Sequence, residues 1–187
     1  RNEMVPYESA VAVTTIVPTM VTDATQDIIS VCVNIETPAT GDIQLSLRSP
    51  NGTVMPLSTN NGGFGSNFTE TCFTPGAATA IAAGSAPFTG EFQPDGDWTT
   101  LNGSSLNGVW SVIAWDEGLD EDAGVFISWN ITFRYQDELT YSWSPVDGLS
   151  CIDCPNPVLT LGEDVDQTYT LTVSNDRDCS ESGTVTV

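Results

Sequence analysis

The sequence predicts an all-β protein in two parts, a larger β-sandwich followed by a small one. Short runs with a two-residue apolar period recur along the chain, as half-buried strands require. Between them sit clusters of Gly, Pro and Asn, with 16 Gly and 11 Pro in all, and a helical period is scarcely found. After Tyr135 a polar joint, "QDEL", introduces a second set of strands. At 187 residues and 40% apolar composition the chain is long enough for one sandwich plus a small module, and global disorder is excluded. The boundary is placed at 138/139, giving 1–138 and 139–187.

The strands follow in order. "SAVAVTTIV" (9–17) and "DIISVCVNIET" (27–37) open the first part. In "GDIQLSLRSPNGT" (41–53) Ile43, Leu45 and Leu47 alternate with Gln44, Ser46 and Arg48. Ser49-Pro50-Asn51-Gly52 then offers Ser, Pro and Gly at the positions a type I turn favours, returning the chain through "TVMPL". "FTETCF" (68–73) is a shorter strand, and residues 74–90 read as a long loop. "GVWSVIAW" (108–115) is apolar on both faces, which predicts a central strand covered on both sides. "GVFISWNITFRY" (124–135) predicts one face carrying Val125, Ile127, Trp129, Ile131, Phe133 and Tyr135. In the tail, "TYSWS" (140–144), "QTYTLTVSN" (167–175) and "GTVTV" (183–187) are the strands of a small Ig-like sandwich.

Charge and missing residue types exclude much. Asp and Glu number 25 against 4 Lys plus Arg, a net charge of −21 that repels nucleic acid and anionic membranes. The chain has no histidine, so it forms no Ser-His-Asp triad, Cys-His pair or His-ligated zinc site. All four basic residues are arginine, which removes Schiff-base and Ser-Lys chemistry. "GGFGSNF" (62–68) is Gly-rich but lacks the lysine of a phosphate loop. No apolar run is long enough to span a bilayer. The opening "RNEMVPYESA" is no signal peptide and reads as the interior of a longer protein. Five cysteines among short strands point to an oxidising, secreted or cell-surface location.

"GDIQLSLRSPNGT", "APFTGEFQPDGDW", "LNGSSLNGVWSVIAWD" and "DAGVFISWNITF" occur in that order. As an ordered set they resemble the P domain of kexin and furin-type proprotein convertases in its bacterial form, over residues 9–135. The tail, "YSWSPVDGLSCIDCPNPV" and "TYTLTVSNDRDCSESGTVTV", is similar to PKD-like repeats of Bacteroidetes surface and secreted proteins. The resemblance implies a jelly-roll β-sandwich that is not itself an enzyme. Such a domain lies C-terminal to a subtilisin-like protease domain, stabilises it and modulates its calcium and pH response. Its partner is the adjacent domain of the parent protein, whether a protease or further surface repeats. The alternative is an adhesion or display module, glycan-binding or not, with no protease attached.

The candidate sites each have a plain structural reading beside the functional one. "WDEGLDEDAG" (115–124) is the densest acidic loop, with Asp116, Glu117, Asp120, Glu121 and Asp122. Calcium takes six to eight hard oxygens, often several carboxylates from one loop, so Asp116, Glu117, Asp120 and Asp122 are candidate calcium ligands; a solvated acidic loop is the alternative. The resemblance implies recurring acids at the first and last positions, Asp116 and Asp122. Asp42, Asp95 and Asp97 read as turn residues bonded to their own backbone, and "GEDVDQ" (162–167) as a solvated turn. Cys32 and Cys72 lie on predicted strands, either as a disulfide or as buried thiols. Cys151-x-x-Cys154 is a redox motif, half a zinc site with Cys179 as third ligand, or a local bridge. Similar tail repeats keep the late cysteine without the pair, which favours a Cys151–Cys154 bridge and an unpaired Cys179. Trp110, Trp115 and Trp129 read as core residues; Trp98 and Trp143 lie nearer loops, where sugar stacking is the functional alternative. Asn51, Asn67, Asn102 and Asn130 begin glycosylation sequons. Paired carboxylates such as Glu117 with Asp122 are the acid–base alternative, although acidic pairs arise by chance in a chain this acidic.

Overall fold

A computed structural model describes residues 6–118, 124–134, 139–160, 166–175 and 179–187. The chain separates into two compact units, Arg1–Tyr135 and Gln136–Val187.

The first unit is a jelly-roll-type sandwich of two four-stranded sheets. One sheet joins β1 (Tyr7–Val13), β7 (Gly108–Asp116), β3 (Ile43–Arg48) and β4 (Val54–Thr59), in that spatial order. The other joins β6 (Phe88–Phe92), β5 (Phe68–Phe73), β2 (Ile28–Glu36) and β8 (Val125–Phe133). Alternation along each strand supplies the core. Val31, Val33 and Ile35 face Leu45, Leu47, Met55, Leu57, Trp110 and Val112, and Phe68, Phe73, Phe88 and Phe92 close one side. All belong to one buried cluster, so the two sheets face each other across a single apolar layer. A single helical turn, α1 (Ala24–Asp27), is capped by the Asp23 carboxylate, which accepts from Thr25 N at 3.0 Å.

The Ser49–Gly52 turn closes with Gly52 N donating to Ser49 O at 2.9 Å, and Gly52 takes φ +88°. Its role is internal. Ser49 is buried and its hydroxyl lies 3.2 Å from that of Ser104. Pro50 packs so closely on Gly108 that a Cβ there would approach Pro50 Cβ at 2.7 Å.

Three strands of the first unit differ from expectation. Residues 74–90 are not all loop: β6 begins at Phe88 and pairs parallel with β5. Gly90, at φ +90° inside the strand, hides it from a reading by propensity. β7 is central but not covered on both faces, since Val109 and Trp115 on its outer face are exposed. In β8 the two-residue period breaks. Asn34 pairs with Ser128 but Ile35 with Phe126, a bulge that turns Phe126 inward and leaves Val125 and Ile127 each 56% exposed. Trp129, Ile131 and Phe133 still pack on the core, while Tyr135 lies outside the described residues.

The second unit contains β9 (Leu139–Ser144), β10 (Thr168–Asn175) and β11 (Ser180–Thr186), antiparallel in the order β11-β10-β9. Where the sequence predicts a small Ig-like sandwich, the described residues form this one sheet, and residues 145–160 are its cover. Trp143 Nε1 donates to Cys154 O at 2.9 Å, and the buried Tyr169 donates its hydroxyl to Asp147 O at 2.7 Å.

Candidate functional site

A polar hollow of the first unit lies at one end of the sandwich, where β3 starts and β7 ends. Ile43 and Asp116 are register partners there, so the residue before one strand meets the residues after the other. Asp42 closes a 3-10 turn, Thr40–Asp42, and its carbonyl accepts from Glu117 N at 2.8 Å. Gly118 N donates to Asp116 Oδ1 at 2.9 Å. A Cβ on Gly118 would meet Asp116 Oδ1 at 3.0 Å and Asp42 Oδ2 at 3.2 Å. The two carboxylates therefore close on the space that glycine leaves. They line a pocket of about 190 Å³ with Thr37, Pro38, Ala39, Phe64 and Gly118.

Of the four candidate calcium ligands, Asp116 is in this pocket. Glu117 turns to Asn60, whose Nδ2 donates to its Oε2 at 3.2 Å. Asp120 and Asp122, with Glu121 between them, lie outside the described residues. Among the described residues no three acids or cysteines gather as a metal-holding group. Asp42, a turn residue by its sequence context, is brought to Asp116 by the fold. Only the pairing of β3 with β7, a contact remote in sequence, reveals it.

On the other side of Asp116 a second, larger hollow of about 390 Å³ opens between the sheets. Tyr7, Ile43, Ala114 and Trp115 line it from one sheet, and Ile35, Val125 and Phe126 from the other. Trp115, expected in the core, is 42% exposed here, because its parity on β7 is opposite to that of buried Trp110 and Val112. Trp98, expected near a loop, is buried. Trp129 Nε1 donates to Ser9 Oγ at 3.0 Å.

The remaining candidates serve the scaffold. Asp97 caps a short 3-10 turn by accepting from Thr99 N at 2.9 Å, and that bond together with the Thr99 side chain holds its carboxyl below the usual value of 3.8. Asp95 accepts from Thr59 N and Asn61 Nδ2 at 2.7 and 2.8 Å, tying a loop to β4 rather than to its own backbone. Asn67 and Asn102 accept from Thr37 N and Ala24 N at 3.0 and 2.8 Å, so these two sequon side chains are engaged. Cys32 and Cys72 are directly opposed on β2 and β5, 4.0 Å apart at Cα, and form a disulfide. Cys151 and Cys154 are bonded to each other. Cys179 is exposed in the β10–β11 hairpin, level with Leu139, whereas the bridge lies beside Trp143, four positions along β9. The three cysteines are not gathered into a zinc-type site.

The family model for the proprotein convertase P-domain matches residues 26–133. No curated protein matches the chain. Among solved structures, the serine protease of Aeromonas sobria aligns with 97% of this chain at 15% identity and a TM-score of 0.35. The complex of Aeromonas sobria serine protease (ASP) with the chaperone (ORF2) aligns with 100% at 14% identity and a TM-score of 0.34. This chain spans 20% of the length of either of those chains. The matched segment begins inside α1 and ends with the last residue of β8, so it takes in the sandwich from β2 onward and more than half of the chain. On that match the chain belongs to the proprotein convertase P-domain family.

Proposed function

We propose that the chain is a non-catalytic, extracellular accessory module of a larger protein, a subtilisin/kexin-family serine endopeptidase, whose neighbouring domain it stabilises or regulates. The family match over residues 26–133 is the observation that carries this. The chemistry agrees with it: without histidine the chain cannot form the Ser-His-Asp triad of a subtilisin-type peptidase, which in this proposal the neighbouring domain supplies. What this chain supplies is a stiff sandwich, cross-linked between β2 and β5 by Cys32–Cys72.

Calcium fits the same reading. Asp42 and Asp116 present carboxylate oxygens to the space over Gly118, which any larger residue would fill. In this proposal those two carboxylates hold the ion, and water completes the shell of hard oxygens that calcium takes. Binding there would tie the start of β3 to the end of β7.

The test is made on the parent protein. Peptidase activity and melting temperature are compared with and without residues 6–134. Loss of both on deletion supports the accessory role. A parent with no peptidase activity, or one indifferent to the deletion, favours the display reading.

A further inference from the structure

The larger hollow beside Asp116 has a feature the accessory role does not use. It opens at the end of the sandwich where β1 and β8 start and β7 ends: Tyr7 and Val125 are the first residues of their strands and Asp116 is the last of its own. β1 and β8 lie over one another: the Tyr7 and Phe126 rings are 5.0 Å apart, and Trp129 bonds Ser9. Each is the terminal strand of its sheet, with no described strand beyond it. Tyr7, Trp115 and Val125 line the hollow and remain exposed, so its walls are apolar and aromatic. Its rim is anionic. Asp116 lines it, and Glu36 is the register partner of Val125. The described arginines are engaged elsewhere: Arg48 pairs with Glu8, and Arg134 Nε donates to Gln26 O. No cation among the described residues balances the rim.

We propose that this groove docks an extended segment of a partner polypeptide in which an aliphatic residue stands beside an arginine or lysine. The aliphatic side chain occupies the hollow between Ile35, Ile43 and Phe126. In the calcium-free chain the cation meets Asp116 and the aromatic face of Tyr7. Charge complementarity selects this occupant, because an acidic segment meets the rim acids with no compensating cation. The proposal does not depend on a protease domain, and its failure leaves the accessory reading intact.

The test uses the 187-residue chain in chelator, so that Asp116 carries no calcium, and three fluorescein-labelled peptides, Leu-Arg-Leu-Arg-Leu, Ser-Arg-Ser-Arg-Ser and Leu-Glu-Leu-Glu-Leu. Anisotropy is read at about 150 mM salt, where diffuse attraction to the net charge is screened beyond about 8 Å. The Leu/Arg peptide is expected to bind about tenfold or more tighter than either control. Val125→Arg sets a cation into the groove at an exposed position and should weaken that binding about tenfold. Val109→Arg, at the Gly108 end of β7, should leave it unchanged. Circular dichroism and thermal melting verify that both variants fold. Equal binding of the Ser/Arg peptide, or indifference to Val125→Arg, assigns the binding to net charge and overturns the proposal. Equal binding of the Leu/Glu peptide, or no binding of the Leu/Arg peptide, overturns it as well.

Discussion

Replacing both Cys32 and Cys72 with serine should remove a large share of the first unit's stability. The two residues are 40 apart in sequence and directly opposed on neighbouring strands. Closing a 40-residue loop in the unfolded chain costs about 13 cal/mol/K, or about 4 kcal/mol at 25 °C. Val31 and Val33, on either side of Cys32, are buried in the core, whereas both cysteines are half-buried on the opposite face. Serine therefore leaves little cavity, and the loss reports the cross-link rather than packing. Unfolding entropy of about 2.1 cal/mol/K per residue over residues 1–135 is about 0.28 kcal/mol/K. Division gives a fall in Tm of about 14 °C. The assay is thermal and denaturant unfolding of the oxidised wild type, the reduced wild type and the double variant. The last two should coincide, well below the first. A double variant within about 1 kcal/mol of the oxidised wild type would mean that the bridge does not constrain the chain, and the role given to it here would be withdrawn.

Further perturbations separate the other parts of the structure. Gly108→Ala forces a Cβ to within 2.7 Å of Pro50 at φ +133°, and should cost about 2–4 kcal/mol in denaturant unfolding; Gly103→Ala, strained at φ +80° but in open space, should cost about 1 kcal/mol. If the two cost the same, Pro50 yields and the turn is not rigidly seated. Asp97 has a lowered pKa, so its contribution is present above the ordinary carboxylate value of 3.8 and is lost as pH falls through the lower folded value. Asp97→Asn should accordingly flatten the fall of Tm between pH 4 and more acidic conditions, as melting curves in a pH series will show. Calcium should raise Tm relative to chelator, and Asp42→Asn with Asp116→Asn should abolish the rise. Equal melting temperatures with and without calcium would remove the ion from the proposed role.

Much of the sandwich is legible from the sequence because alternation reports burial directly. Ile43, Leu45 and Leu47 are inward in β3 as their spacing predicts, and the Ser-Pro-Asn-Gly turn closes where its residue types place it. Legibility fails where the controlling fact is remote in sequence. The bulge opposite Asn34 and Ile35 is a property of the β2–β8 pair, and it reverses the parity of Phe126 and Ile127 without a mark in either strand. β6 exists because β5 offers it a parallel edge, and Gly90 within it reads as a turn. Trp115 looks like core until the outer face of β7 is seen to be open. The candidate site shows the same limit. Its acidic loop stands out at once, but Asp42 becomes a partner of Asp116 only when β3 lies beside β7.

The accessory role is tested most directly by reading the coding sequence on both sides of this chain. A subtilisin-type Asp, His and Ser set upstream is the predicted result, and it places this sandwich beside the protease domain it serves. Flanks that encode only further β repeats would contradict that role and leave display, with the groove at Val125 as its binding surface, as the better reading of the same residues.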